Sequence, residues 1–385
     1  MKILAAMDSF KGSCTSYTAG KAVCNGIKNI LPDADVINVP VADGGEGTIE
    51  AVMASMNGKE RICKVTDPIG NEVKARYCVL PSGIAVIEMS AASGLLLVPG
   101  DKRNPMVTTT YGTGELIKAA LDEGHTTILL GVGGSATNDG GAGMAQALGV
   151  SFRDKDGNEL GVGGGKLSDL YEIDTSKIDK RLKGCKIIIA SDVTNLLCGP
   201  NGASYMYGPQ KGASPEMVKE LDQALAHYAA VIREQVGIDV MSVPGSGAAG
   251  GIVAGILAFC NAEIKSGIEA VLDIVNFDNQ LEDVDIVFTG EGRIDEQTVY
   301  GKVPMGVAKH AKLVGNIPVI AIAGSVQKGA EVLLSKGIDA IFSVADGPIS
   351  LEESQERIEE LLERTAESIM RTIIIGKRFG MDGAK

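Results

Sequence analysis

Short apolar runs recur along the chain, each closed by glycine, proline or a carboxylate, and runs of that length read as strands rather than helices. They predict strands over Lys2 to Met7, Asp35 to Val41, Thr126 to Gly131, Lys186 to Ala190, Val284 to Phe288, Pro318 to Gly324 and Ile338 to Val344. Helical spacing fills the gaps between them. A helix is expected up to Ile30, another over Ile49 to Met56, and a third whose apolar face is Leu116, Ile117, Ala120 and Leu121. Ser214 caps a helix with Pro215 at its first position and Glu216 in its first turn, and Gly237 stops it after Val236. Ile252 to Phe259 is helical and apolar all round, and a helix is expected near Ala330 to Lys336. The last helix opens on a capping box, Ser350 to Glu353, and carries Ile358, Leu361, Leu362 and Ile369 on one face.

The grammar changes after Gly58, where Glu60 to Val65, Glu72 to Leu80 and Ile84 to Met89 are short strands joined by proline-glycine turns, as in an antiparallel meander. Ser151 to Lys183 reads only as a turn-rich excursion. At 385 residues the chain exceeds what one core usually supports. The expected fold class is therefore α/β with two domains. A discontinuous flavodoxin- or Rossmann-like parallel-sheet domain is built from residues 1–60 and 284–385, and a second α/β domain containing the meander, residues 61–283, is inserted into it.

Charge and cysteine usage narrow the partners. A net charge of −13 argues against nucleic acid or an anionic membrane, and no window is apolar for long enough to span a bilayer. The same charge means that a small anionic substrate must meet a local basic pocket. Seven cysteines without a C-x-x-C pair read as reduced thiols of a cytoplasmic protein, and the opening run is too short for a signal peptide. The three histidines are not at metal-ligand spacing. A homo-oligomer stays open.

Glycine changes the picture most: its 50 residues cluster in loops that follow predicted strands or open helices. In Val284 to Lys302 the apolar run is expected to break into a loop, Thr289 to Asp295, where Gly290 and Gly292 let backbone approach an anion, Arg293 can grip it, and Glu291 and Asp295 are hard oxygen ligands for magnesium. An ordinary βα loop with charges facing water is the plainer reading of that stretch. Similar loops stand at Asp8 to Ser13, Asp43 to Thr48, Gly133 to Gly143, Ser191 to Gly202 and Pro244 to Gly251. Backbone donors, carboxylates for a cation and positive side chains are the parts phosphoryl transfer needs, provided that the loops meet in one cleft between the domains. No G-x-x-x-x-G-K-[ST] and no protein-kinase signature is present. Gly245-x-Gly247-x-x-Gly250 matches the dinucleotide fingerprint, so a nicotinamide-dependent oxidoreductase acting on a small hydroxy acid is the competing reading.

DSFKGS at Asp8, VADGGEGT at Val41, YGTGE at Tyr111, GVGGSATNDGGAGM at Gly131, SDVTNLLCGPNGA at Ser191, PGSGAAGG at Pro244 and TGEGRIDEQTVYGK at Thr289 together resemble the bacterial glycerate kinase family, over nearly the whole chain. The resemblance implies phosphoryl transfer from ATP, with Mg2+, to D-glycerate, the 2-phosphate being the favoured product. With so few histidines, a carboxylate must serve as base. Asp192 is the first choice, capping of its turn or magnesium ligation being its other roles. Lys11, Arg103 and Arg293 are candidates for gripping the substrate carboxylate, Lys11 and Arg293 also for catalysis. Lys211 is a fourth basic candidate or an exposed loop residue. Ser9, Asp43, Gly44 and Gly45 complete the expected substrate site, and Gly133, Gly134, Ser135, Asn138, Gly247 and Gly290 the nucleotide site. Glu291 and Asp295 are the expected metal ligands, with Asp43 and Glu46 as rivals.

Overall fold

The computed structural model describes residues 1–299 and 301–378. Tyr300, inside the last of the quoted motifs, lies outside them. Among the described residues thirteen strands run in chain order: β1 Lys2–Met7, β2 Asp35–Asn38, β3 Lys59–Thr66, β4 Glu72–Val79, β5 Ala85–Glu88, β6 Thr127–Gly131, β7 Ser151–Arg153, β8 Glu172–Asp174, β9 Lys186–Ala190, β10 Ala262–Lys265, β11 Ile286–Ile294, β12 Val319–Val326 and β13 Ala340–Ser343. The chain forms two compact units, the first from Met1–Asp43, Glu50–Asn57 and the residues from Ile268 on, the second from Gly44–Ile49 and Gly58–Gly267.

The first unit holds a five-stranded sheet in the order β13-β12-β11-β1-β2, parallel throughout. Its central strands are continuous apolar runs because both faces are covered. On one face Ile3, Ala5, Met7, Phe288 and Ile322 pack with Val23 and Ile27 of the helix Ser16–Ile30 and with Leu361, Leu362 and Ile369 of the helix Ile358–Arg378. Those two helices touch closely at Gly26, where an added Cβ would lie 2.2 Å from the Glu363 carbonyl oxygen. The serine half of the capping box forms, the Ser350 hydroxyl accepting the Glu353 amide at 3.0 Å, while the Glu353 carboxylate accepts from Arg357 at 2.9 Å. The helix it starts ends at Glu356, however, and a second begins at Ile358 after Arg357 leaves helical geometry.

One expected loop is strand instead. β11 does not stop at Phe288 but continues through Gly290, Glu291, Gly292 and Arg293, because β12 keeps pairing with it as far as Ile294 opposite Val326. β1 pairs only up to Met7 opposite Gly290, so the acidic residues sit on strand that outruns its other neighbour. Glycine suits this close ladder: a Cβ on Gly290 would stand 1.9 Å from the Ile322 carbonyl oxygen, and one on Gly324 2.5 Å from that of Gly292.

The second unit holds a six-stranded sheet in the order β10-β9-β6-β5-β4-β3. β3, β4 and β5 form the expected antiparallel meander, and β5, β6, β9 and β10 are parallel. Its core gathers Ile87, Leu130, Ile187 and Ile189 from the sheet with Leu116, Ile252, Phe152 and Tyr228. The excursion from Ser151 carries a small antiparallel pair, β7 and β8. The helix Pro215–Gln235 is capped by Ser214, whose hydroxyl accepts the Met217 amide at 3.3 Å. Among the described residues all seven cysteines are unpaired, and no helix is long and apolar enough to cross a membrane.

Candidate active site

In the first unit the carboxyl ends of β1 and β11 collect acids. Asp8 follows β1 directly, gives its amide to the Gly290 carbonyl at 2.9 Å and accepts the Ser9 amide at 2.7 Å. It is only 7% exposed, and burial, followed by repulsion from Asp43, pushes its carboxyl up to about 7 against the pull of the Ser9 amide and of nearby Lys11. Glu291 adds a further repulsion. Glu291 is itself buried and raised by that burial, although the Thr298 hydroxyl donates to its Oε1 at 2.8 Å. Lys302 Nζ lies 3.6 Å from Glu291 and 3.8 Å from Asp295, and exposed Arg293 pairs with Asp295 at 3.2 Å. The expected residues Ser9, Lys11, Asp43, Glu291, Arg293 and Asp295 thus belong to one unit, while Gly290 is buried inside β11.

Sequence reasoning gave no role to Lys302 or Asp8. Asp8 had a signal, a carboxylate directly after an apolar first strand. Lys302, just ahead of the helix Val303–Gly315, had none that spacing could supply. Among the described residues no three acid, histidine or cysteine side chains stand together as a metal site. Magnesium needs only one or two protein carboxylates beside substrate oxygens, and the crowded acids at Asp8, Asp43 and Glu291 are the hard donors such an ion prefers.

In the second unit the glycine loops pack on one another. A Cβ on Gly131 would meet the Gly44 carbonyl oxygen at 2.5 Å, and one on Gly44 would meet Ala190 Cβ at 2.6 Å, so the Gly44-Gly45 corner rests on the ends of β6 and β9. Asp192, just past β9, is exposed and accepts the Gly267 amide at 3.1 Å. Gly133 and Gly134 are exposed, Gly134 with a left-handed φ of 73°. The N–H groups of Gly133, Gly134 and Ser135 have no acceptor among the described residues.

Behind that exposed edge the loop is locked. Asp139 accepts from the Thr110 amide and hydroxyl at 2.8 and 2.9 Å and from the Gly141 and Gly143 amides at 3.2 and 3.3 Å. Asn138 is buried and donates to the Ser204 hydroxyl at 2.9 Å. The glycine run at Gly163 to Gly165, unexplained by sequence, lies against this loop: a Cβ on Gly164 would meet the Asn138 carbonyl oxygen at 2.4 Å. Lys211 is not on an exposed loop. It is 1% exposed, and Nζ donates to Ser135 Oγ and to the Thr137 carbonyl, both at 2.7 Å. Burial pulls the ammonium down to about 7, against the field of Asp139. Arg103 lies beside this turn: a Cβ on Gly212 would stand 2.3 Å from the Arg103 carbonyl oxygen, and the buried Arg103 Nε has no partner among the described residues.

Gly247 is buried and spends its N–H on the Asn195 carbonyl at 3.0 Å, so it packs the loops together and offers no outward donor. No strand precedes the Gly245-x-Gly247-x-x-Gly250 stretch between Gly237 and Gly247, and Ala249, Gly250 and Gly251 are left-handed before the regular helix. A dinucleotide fingerprint needs a strand, a tight turn and a helix in succession, so the oxidoreductase reading loses its structural basis.

The glycerate kinase family model matches residues 3–374. The chain belongs to the glycerate kinase family. A glycerate 2-kinase of Escherichia coli is 51% identical over 379 residues, 98% of this chain and 99% of the relative. A glycerate kinase of Halalkalibacterium halodurans is 50% identical over 370 residues, 95% of this chain and 97% of the relative. A crystal structure from Salmonella typhimurium LT2, described as a glycerate kinase 2, superposes with a TM-score of 0.90 at 47% identity, covering 98% of this chain and 99% of that one. This glycerate kinase family member is thus an enzyme whose family motifs lie on the acid cluster of one unit and the locked glycine loops of the other.

Proposed function

We propose that the enzyme transfers the terminal phosphoryl group of ATP to the 2-hydroxyl of D-glycerate, giving 2-phosphoglycerate and ADP. Support for the substrate comes from the family match, and for the position from the Escherichia coli relative named for the 2-hydroxyl. The observation that carries the chemistry is the set of three amides at Gly133, Gly134 and Ser135, two of them on exposed glycines, which have no acceptor among the described residues and are suited to phosphate oxygens.

These unpartnered amides receive nucleotide phosphate, with Asn138 holding the loop in shape. Lys11, Arg103 and Arg293 provide positive charge for the substrate carboxylate and the transferring group, beside Ser9, Asp43, Gly44 and Gly45. Asp192, an exposed carboxylate held by the Gly267 amide, takes the proton of the attacking hydroxyl. Glu291, with Asp295 or the neighbouring Asp8 and Asp43, would hold magnesium, which when bound spreads the negative charge of the phosphoryl oxygens.

A coupled assay of ADP release on adding D-glycerate, followed by phosphorus NMR of the product, tests this reading. Glycerate-dependent ADP release with a 2-phosphate product is expected. A 3-phosphate would move the acceptor position, and no glycerate-dependent turnover would end the assignment.

A further inference from the structure

We propose that Lys211 is a positioning residue that acts through Ser135, presenting that hydroxyl and the adjacent amides of Gly133 and Gly134 to an oxyanion of the ligand. The inference rests on the reading of this loop as an anion cradle and adds the group that charges and orients it.

Lys211 comes from the short turn Pro209–Lys211 and reaches both flanks of the Ser135-Ala136-Thr137 segment. In its charged form Lys211 can only donate, so Ser135 Oγ then accepts from it and keeps its own hydrogen. No acceptor for that hydrogen exists among the described residues. Four donors at Gly133, Gly134 and Ser135, three amides and this hydroxyl, therefore lack a partner among the described residues. A hydroxyl whose oxygen is bonded to a cation is a stronger donor than a free one.

The rest of the loop is fixed without the lysine. Asp139 anchors the following glycines, Thr108 Oγ1 donates to the Ala136 carbonyl at 2.9 Å, and the Ala136 amide donates to the Ser93 carbonyl at 2.9 Å. A buried ammonium is a costly way to fill space, and an apolar side chain of similar length usually serves stability as well or better. Asp139 already sets one buried negative charge near the ammonium, and a ligand oxygen reached through the Ser135 hydroxyl is the second. That oxygen belongs to a phosphate or a carboxylate, chemistry that the nucleotide and the hydroxy acid share.

A double-mutant cycle on the full chain tests the inference: Ser135→Ala, Lys211→Met and the pair, with calorimetric titration of ADP and, separately, of D-glycerate. Each single variant is expected to weaken one of the two ligands by about tenfold or more, the size of losing a charge-assisted hydrogen bond. The ligand that moves identifies which oxyanion sits there. Because Lys211 acts through Ser135, the double variant should be no weaker than the worse single one. Penalties that multiply, or Kd values unchanged for both ligands, overturn the proposal. Should Lys211→Met fail to fold, Lys211→Gln, which keeps a donor for the Thr137 carbonyl without the charge, takes its place in the cycle. Turnover of D-glycerate by the unaltered enzyme is measured alongside. Its absence would count against the proposed function, whereas the cycle read on ADP still judges the role of Lys211.

Discussion

Thr110 and Asp139 are joined twice, the carboxylate accepting both the amide and the hydroxyl of the threonine at 2.8 and 2.9 Å, with both residues fully or nearly fully buried. The Thr110 hydroxyl oxygen also accepts the Met144 amide at 2.9 Å, so the pair ties the segment before one helix to the start of another. Asp139→Ala would orphan four buried donors and leave Lys211 without its nearby negative charge. A loss of roughly 3–5 kcal/mol is expected. Thr110→Val removes one donor and one acceptor and should cost less, about 1–3 kcal/mol. Urea unfolding of both variants checks the order, and an Asp139→Ala protein as stable as its parent would contradict it.

Asp8 makes a pH-dependent prediction whose sign is fixed by linkage. Its folded carboxyl, held up to about 7 chiefly by burial, binds a proton that the unfolded chain, titrating near its ordinary value, has already lost. From this group alone, stability is highest at low pH, falls as pH rises from the unfolded value, and is fully penalised above about 7. Asp8→Asn keeps an oxygen for the Ser9 amide and removes the penalty. In metal-free buffer its Tm advantage over the parent should be absent near pH 4 and largest at pH 8, worth on the order of 4 kcal/mol at most. Turnover should fall in the same variant, since a destabilising carboxylate at a strand end is retained for function. A Tm difference that does not change with pH would show that Asp8 titrates normally.

Much of the scaffold was legible because local composition and tertiary context agree. The apolar runs of β1, β9 and β12 are buried strands, and Ser214 with Pro215 starts its helix where capping chemistry says it should. β11 misled because glycine and charge are loop signals, yet its partner β12 continues, and a partner distant in sequence overrides local preference. β10, Ala262–Lys265, is short and half polar, so no periodicity announced it. Within the candidate site, the glycine and acid corners stood out as motifs. The burial of Lys211 against Ser135, 76 positions away, could not be read from spacing.

Asp192 offers a kinetic prediction. Asn in its place retains an oxygen for the Gly267 amide, so that hydrogen bond should survive the change. If the carboxylate takes the substrate proton, kcat should fall by about 100-fold or more while KM for glycerate changes little. Steady-state kinetics separate the two parameters. A kcat near that of the parent would remove Asp192 from the chemistry and turn attention to Asp8.

Two glycines, similar as sequence, should answer alanine in opposite ways. Gly290 is wedged in the ladder, where a new methyl would stand 1.9 Å from the Ile322 carbonyl oxygen and 2.6 Å from the Met7 side chain. Backbone must move to admit it, β11 must part from β12, and a cost of about 3 kcal/mol or more is expected, at the upper end of overpacking effects. Gly133 has only the Gly45 Cα near its would-be methyl, at 3.5 Å, and a φ outside the left-handed region. Gly133→Ala should therefore fold with its Tm nearly unchanged. What the methyl does obstruct is the approach of a ligand to the amides of Gly133, Gly134 and Ser135, so nucleotide affinity should fall without loss of stability. Thermal unfolding and ADP titration on the two variants give the comparison: a Gly133→Ala protein that binds ADP like its parent would show that phosphate does not approach this edge of the loop.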